Sequence, residues 1–451
     1  MFINPFSAGV KRIQNMRSGH HVIARNMTWV ALFVFFGFVA KAGKEIAIAH
    51  RYGVSLELDA YFFVFNLVSW PATIILSILT ATIIPVVARI RQLESGKLPH
   101  FRSELLGLAL MLGLIFVFLG WLGLPLLLHS SWAGLPSTTA TLATQMVPSL
   151  VLIAPLSILI SLFSVWMLAA ERQSITLLES LPALVLILIL FFFPVGEVQP
   201  LVWGTLVGFV IHLIILVIHL LHKGEIETPK FTQQSSEWSI FWQGFGIVAV
   251  GQVLMGLTTI VDQILAAHLG IGAIASLNYA NRTLSLLLGL GGIMIVRATL
   301  PAFSNMQAQG FRQLRRFAYQ WAGFFFVIGM GIMIGGWLLA PWGIRIVFEH
   351  GAFTSDNTEI VATIFRYGLL QLPFYFTGLV LVSLLLSQQR YWAICLIGAI
   401  NLVVKIISSL LIVPYFGIYG LMISTTIMVA ISTLLLIVVV HGNFFKESEQ
   451  M

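Results

Sequence analysis

Lys41-Ala-Gly-Lys-Glu-Ile-Ala-Ile-Ala-His-Arg-Tyr-Gly53 decides how this chain is read. It closes a long apolar run, yet it carries two ammonium groups and a carboxylate. The stretch has an echo further on, Asp262-Gln-Ile-Leu-Ala-Ala-His-Leu-Gly270. In each copy an acid stands eight residues before the glycine. Pro85 follows Gly53 by 32 residues, and Pro301 follows Gly270 by 31. The spacing predicts two copies of one helical unit.

Composition places those units in a bilayer. Hydrophobic residues make up 59% of the 451 positions and charged residues 9%. The mean hydropathy is +0.97. A chain this apolar buries its surface in lipid. Twelve spanning helices are predicted, at 27–49, 60–88, 104–128, 142–169, 174–194, 200–222, 239–268, 274–303, 317–340, 358–387, 391–412 and 415–441. The expected fold is an all-α polytopic membrane protein, two six-helix pseudo-repeat bundles with a cavity between them. The polar break at 223–238 divides bundle 27–222 from bundle 239–441. Segments 1–26 and 442–451 flank them. Pro71, Pro85, Pro148, Pro155, Pro301 and Pro373 are expected to interrupt spans.

Loop charge orients this layout. Of the 24 Lys and Arg residues, sixteen fall in loops on the side of both termini. Only Arg51 and Arg345 fall in the opposite loops. By the positive-inside rule both termini are expected in the cytoplasm, with the chain in a bacterial inner membrane. The net charge of +7 is then a topology signal and implies no nucleic-acid partner. Residues 1–26 lack the apolar core of a signal peptide. The single cysteine, Cys395, rules out a disulfide framework.

The remaining six cations lie inside spans: Lys41, Lys44, Arg282, Arg297, Arg366 and Lys405. A charge at bilayer depth costs several kcal/mol unless it is paired or hydrated. Six of them imply a wet, predominantly positive cavity and an anionic cargo. Lys41 and Glu45 stand four apart on one helix face, which makes an ion pair available. That pairing would leave Lys44 free, although snorkelling to the headgroups is open to both lysines. Arg282 follows Asn278, Tyr279 and Asn281, a polar set for a span, and is expected to line the cavity with Lys44. Asp262 is the candidate partner of Arg282 or Lys44. Arg297, near the cytoplasmic end, reads as an interfacial anchor. Arg366, Asn401 and Lys405 form a candidate secondary cavity, with Asn401 and Lys405 one turn apart. Glu179 is expected to pair with Arg172. Nucleotide-binding, nucleophile-elbow and metal-ligand motifs are missing, so no catalytic residue, cofactor or metal is expected.

Three blocks resemble the MurJ/MviN lipid II flippase family. The first is Lys44 to Gly53 with Asp59-Ala-Tyr-Phe-Phe-Val-Phe65. The second is Asp262-Gln-Ile-Leu-Ala, then Tyr279-Ala-Asn-Arg282, then Leu300-Pro301. The third is Phe348-Glu-His-Gly-Ala-Phe-Thr354. The resemblance implies a V-shaped transporter of the multidrug/oligosaccharidyl-lipid/polysaccharide exporter superfamily. It implies cavity roles for Lys44, Asp59 and Arg282. It also implies an undecaprenyl-diphosphate-linked glycan as cargo, flipped between leaflets by alternating access. Family charges are replaced here. An Arg of the first helix falls at Phe38, and an Arg pair at Ala72 and Thr73. The acidic motif that follows falls at Ser77–Thr80, the Asp of Tyr-Ala-Asp-Arg at Asn281, and the next acid at Ser285. Twelve spans stand where the family usually has fourteen. These changes favour a polysaccharide repeat unit over lipid II. The expected substrate-binding set is Lys41, Lys44, Glu45, Asp59, Asp262, Asn281 and Arg282. The expected partners are the lipid-linked glycan, the bilayer, and proteins that make or polymerise the glycan. Alternatives are a drug or metabolite antiporter of the same superfamily, which for cationic drugs needs an acidic cavity, and a membrane-embedded glycan polymerase or ligase, which needs a larger outer loop than Pro341–Thr358.

Overall fold

The computed structural model describes residues 33, 35–93, 95–170, 172, 175–194, 196–306 and 311–442. Segment 1–26, the start of the first expected span and residues 443–451 lie outside them. Every regular element among the described residues is helical. Helix α1 covers residues 35–52. It is followed by α2 (Leu56–Leu93), α3 (Leu98–Leu128), α4 (Ser137–Leu150), α5 (Ile153–Ala169), α6 (Ile175–Leu178), α7 (Leu181–Phe192) and α8 (Gln199–His222). The second half runs through α9 (Trp238–Ala267), α10 (Ala273–Met306), α11 (Phe311–Phe348), α12 (Ser355–Leu369), α13 (Leu372–Ser387), α14 (Tyr391–Phe416) and α15 (Ile418–His441).

Eight of these helices are long and apolar enough to cross a membrane, and ten spans result if each of two bent pairs counts as one. The other two expected spans correspond to α1 and to the short α6–α7 segment. The bent pairs are α4–α5 (45°) and α12–α13 (42°). Each break follows from one proline. Pro155 and Pro373 have no N–H to give the carbonyl four residues back, and their rings crowd it. Those carbonyls belong to Val151, where α4 gives way to α5, and to Leu369, the last residue of α12. Pro71, Pro85, Pro148 and Pro301 instead sit within their helices.

Helices α2 and α10, the two proline-bearing members of the repeat, hold the centre. Helix α2 packs on α4 and α5 in the first half and on α9 and α10 in the second. Helix α10 packs on α12 and α13 and also crosses to α2. The halves are latched at one end. Asp59 accepts from the backbone N–H groups of Gly272 and Ala275 (2.7 Å for Ala275), which caps the start of α10. The Tyr279 hydroxyl donates to the Gly53 carbonyl at 3.0 Å. The Ala352 N–H donates to the His50 carbonyl at 2.8 Å. Tyr279 is walled by Phe62, Phe348 and Phe353. All three sequence blocks that carry the family resemblance meet in this latch.

Two charged groups expected in loops or at a span end are buried instead. Arg51 donates to the carbonyls of Leu190 (2.6 Å), Phe193 (2.8 Å) and Pro194. It therefore closes the C-terminal end of α7, whose last carbonyls lack helical partners. Glu104 anchors the segment between the halves. Its carboxylate accepts from Gln234 N (2.7 Å), Ser235 N (3.2 Å), Ser235 Oγ (2.6 Å), Thr232 Oγ1 (3.0 Å) and Trp238 Nε1 (2.7 Å). The break at 223–238 is thus strapped to α3 and is not a free tether.

Gly53 and Gly270 occupy matching corners, with φ of +55° and +105°. A Cβ on Gly53 would collide with the Ala352 carbonyl, whereas one on Gly270 would meet open space. Both Gly→Ala changes carry the left-handed backbone cost of about 1–2 kcal/mol, and only Gly53→Ala adds a clash. Thermal unfolding in detergent should show the larger loss for Gly53→Ala, by about 1–3 kcal/mol. Glu104→Ala should cost roughly 1.5–3 kcal/mol, because it strands donors that now bond a charged acceptor. Limited proteolysis between Lys223 and Trp238 should report it as faster cleavage.

Candidate functional site

Glu45 is the hub of the site. It is buried on α1, and its Oε1 takes Lys44 Nζ at 2.8 Å and, from α10, the guanidinium of Arg282. The expected pairing of Glu45 with Lys41 is replaced by these two. A neighbouring lysine can fold back onto Glu45, and Arg282 arrives from the other half of the chain. The Arg282 guanidinium also lies 4.6 Å from the centroid of the Phe62 ring, a cation–π contact. One carboxylate between two cations leaves a surplus of positive charge. Glu45 Oε2 is buried and accepts no hydrogen bond.

The hub stands between two cavities. The larger, about 410 Å³, is lined by residues of α1, α2, α5, α7 and α8 and of the turn before α7, including Lys41, Lys44, Glu179 and His212. The smaller, about 310 Å³, lies among α2, α9 and α10 and is lined by Asn66, Asp262, Asn278, Asn281 and Arg282 among others. Ser69 and Thr73 of α2 line both. Lys44 and Arg282 were expected to share one cavity. They face two adjoining ones, with α2 between. Ala72 and Thr73, which stand where the resembled family has its Arg pair, line the larger cavity. Asn66 donates to Gln263 at 2.7 Å and to Asn278 at 2.9 Å, so an uncharged network crosses the centre.

Other expected site residues sit elsewhere. Asp59 is 1% exposed and spends both oxygens capping α10, so it does not face either cavity. Asp262 pairs with Lys405 at 2.6 Å and not with Arg282 or Lys44. Lys405 is fully buried, and Asn401 donates to Ser432 at 3.1 Å. Arg366 does not join them. It donates to the Trp337 carbonyl at 2.9 Å and lines a separate 320 Å³ cavity between α11 and α12. Arg297 is exposed on α10. Glu179 does not hold Arg172, which pairs with Glu225. Among the described residues no group of His, Cys, Asp and Glu could hold a metal ion.

Asn66, Gln263, Phe62 and His212 escaped the sequence reading. Asn66, Gln263 and His212 carry a signal, a polar side chain inside an otherwise apolar span. Phe62 becomes cation-facing only through the approach of Arg282 on α10.

A family model described as "Lipid II flippase MurJ" matches residues 48–450. A probable lipid II flippase MurJ of Bdellovibrio bacteriovorus is 24% identical over 52% of this chain and 45% of its own length. One of Thermotoga maritima is 25% identical over 84% of this chain and 78% of its own. The chain spans less than half the length of the first four curated relatives it matches. Among solved structures, lipid II flippase MurJ in an inward closed conformation superposes with a TM-score of 0.80 at 21% identity, covering 92% of this chain and 88% of that one. An inward-facing multidrug resistance MATE family transporter of the MOP superfamily gives 0.73 at 14%, over 90% and 93%. Both share the polytopic helical fold. With the family model spanning nearly the whole sequence, the chain belongs to the lipid II flippase MurJ family.

Proposed function

We propose that this protein flips an undecaprenyl-diphosphate-linked glycan, a polysaccharide repeat unit or a lipid II-like cell-wall precursor, across the bacterial cytoplasmic membrane by alternating access. The observation that carries this reading is the surplus cation at Glu45. In the cargo-free state the carboxylate keeps Lys44 and Arg282 together at a depth where neither is stable alone. An incoming diphosphate, with more negative charge and more oxygens, displaces the carboxylate. Arg282 grips two phosphate oxygens in its planar fork, and Lys44 adds a point charge from the other cavity. Lys41 extends the positive wall. The sugars lie against Asn66, Ser69, Thr73, Asn278 and Asn281.

Segments 27–222 and 239–441 act as the two moving bundles, with 223–238 as the cytoplasmic linker and both termini in the cytoplasm. Translocation then requires the latch at Gly53, Asp59 and Tyr279 to open while the other end closes. The protein binds and moves its cargo without a catalytic residue or cofactor, and works beside the enzymes that build or polymerise the glycan. The names of the relatives support the lipid-linked cargo. The MATE-like fold makes a drug or metabolite antiporter the second reading, and the excess of cations over acids around the hub disfavours export of cationic drugs.

The test is flipping of a fluorescent undecaprenyl-diphosphate glycan in proteoliposomes. Arg282→Ala should reduce the rate by at least roughly tenfold, a change of about 1.4 kcal/mol, at unchanged membrane abundance. Arg282→Lys should keep part of it. Glu45→Ala should lower stability by about 1–3 kcal/mol, since two half-buried cations lose their counter-charge. The double variant Arg282→Ala with Glu45→Gln separates substrate binding from support of the fold. Full flipping by the double variant would overturn the diphosphate role of Arg282.

A further inference from the structure

Lys405 on α14 is a fully buried charge, and its surroundings are unusual for a lysine. Four oxygens lie within 3.0 Å of Nζ: Asp262 Oδ1 at 2.6 Å, Thr425 Oγ1 at 2.6 Å, the Leu421 carbonyl at 2.9 Å and Ser424 Oγ at 3.0 Å. An ammonium has three protons. Four close contacts are one more than its directional hydrogen bonds can use. The hydroxyls act as acceptors here, because Ser424 and Thr425 both donate to the Leu421 carbonyl, each at 2.9 Å. Their lone pairs therefore turn to Nζ.

Carboxylate, carbonyl and two hydroxyls are hard donors; α9 and α15 supply them, around an ammonium that α14 carries in. That is the donor chemistry that holds a small hard cation by radial attraction instead of directed hydrogen bonds. The single carboxylate balances one positive charge and not two, which selects a monovalent ion.

We propose that the Lys405 ammonium is a built-in substitute for a bound alkali-metal ion. The cage clamps α9 to α14 and α15 with a tethered cation, so the clamp does not depend on the sodium around the cell. Truncating the side chain empties the cage and turns it into a Na⁺ site. Asp262 also lines the smaller cavity beside the hub, so the clamp fixes one wall of the central cavity at all ion concentrations. None of this depends on which cargo the protein carries.

The experiment uses the full chain in detergent, as wild type, Lys405→Ala and Lys405→Met. Thermal unfolding is followed in NaCl and in choline chloride at equal ionic strength, together with equilibrium binding of radioactive sodium. Lys405→Ala should gain about 5 °C in Tm on exchange of choline for Na⁺ and bind one Na⁺. Adding Asp262→Asn to it should remove both effects. Wild type and Lys405→Met, whose long side chains fill the cage, should show no Na⁺-specific change. The proposal is overturned if Lys405→Ala shows no Na⁺-specific gain, or if it fails to fold even in NaCl. It is equally overturned if wild type proves to be stabilised by Na⁺ over choline.

Discussion

A bare ammonium or guanidinium is costly in hydrocarbon, and the centre of this fold is arranged around that constraint. Three of the six cations inside the expected spans are held by carboxylates of other residues. Lys44 and Arg282 share Glu45, and Lys405 takes Asp262. Arg366 turns to a backbone carbonyl and an indole face. Lys41 and Arg297 stay exposed. The acids are fewer than the cations, so somewhere the balance must remain positive. It does so at Glu45, where α1 of one half meets α10 of the other.

Backbone geometry brings those two helices together. Gly53 turns the chain through a left-handed corner, and the close approach of Ala352 leaves no room for a Cβ there. The corner delivers Asp59 to the open N-terminus of α10, where its carboxylate satisfies amides that have no helical acceptor. Tyr279, one turn before Arg282, then reaches back to the Gly53 carbonyl. The latch therefore sets the register of α10 against α1, and the register sets Arg282 beside Glu45. Packing, capping and charge pairing cooperate along a single interface.

Much of this was legible in the sequence. Long apolar runs gave the order and ends of most helices, because length and hydropathy dominate in lipid. The breaks were legible as Pro155 and Pro373, though not that helices break there while Pro71, Pro85 and Pro301 sit within continuous ones. The repeat pointed at Gly53, Gly270, Glu45 and Asp262 as special positions. Partner choice was not legible. Lys41 is the helical neighbour of Glu45, yet Lys44 and Arg282 take it, since side-chain reach and the arrival of α10 decide the pairing. Asp59 sat in the family pattern but works as a cap, and a pattern cannot say whether a carboxylate faces amides or a cavity. Glu104 and Arg51 looked like ordinary charges near helix ends. Their roles depend on carbonyls and amides contributed by segments far away in sequence.

The two acids of the repeat show how the halves have parted. Glu45 and Asp262 occupy corresponding places before corresponding glycines, and each meets a cation from a later helix. Glu45 is shared by two cations, touches both cavities through them, and keeps an oxygen with no hydrogen bond. Asp262 meets a lysine that three further oxygens enclose. The first arrangement can trade its carboxylate for another anion at little cost, because charge is already in excess there. The second cannot, since removing either member strands the other in a low-dielectric cage. In the proposed reading, the corresponding positions serve as a labile anion site in the first half and a fixed clamp in the second. A transporter needs such a division, in which a responsive surface works against a wall that does not move.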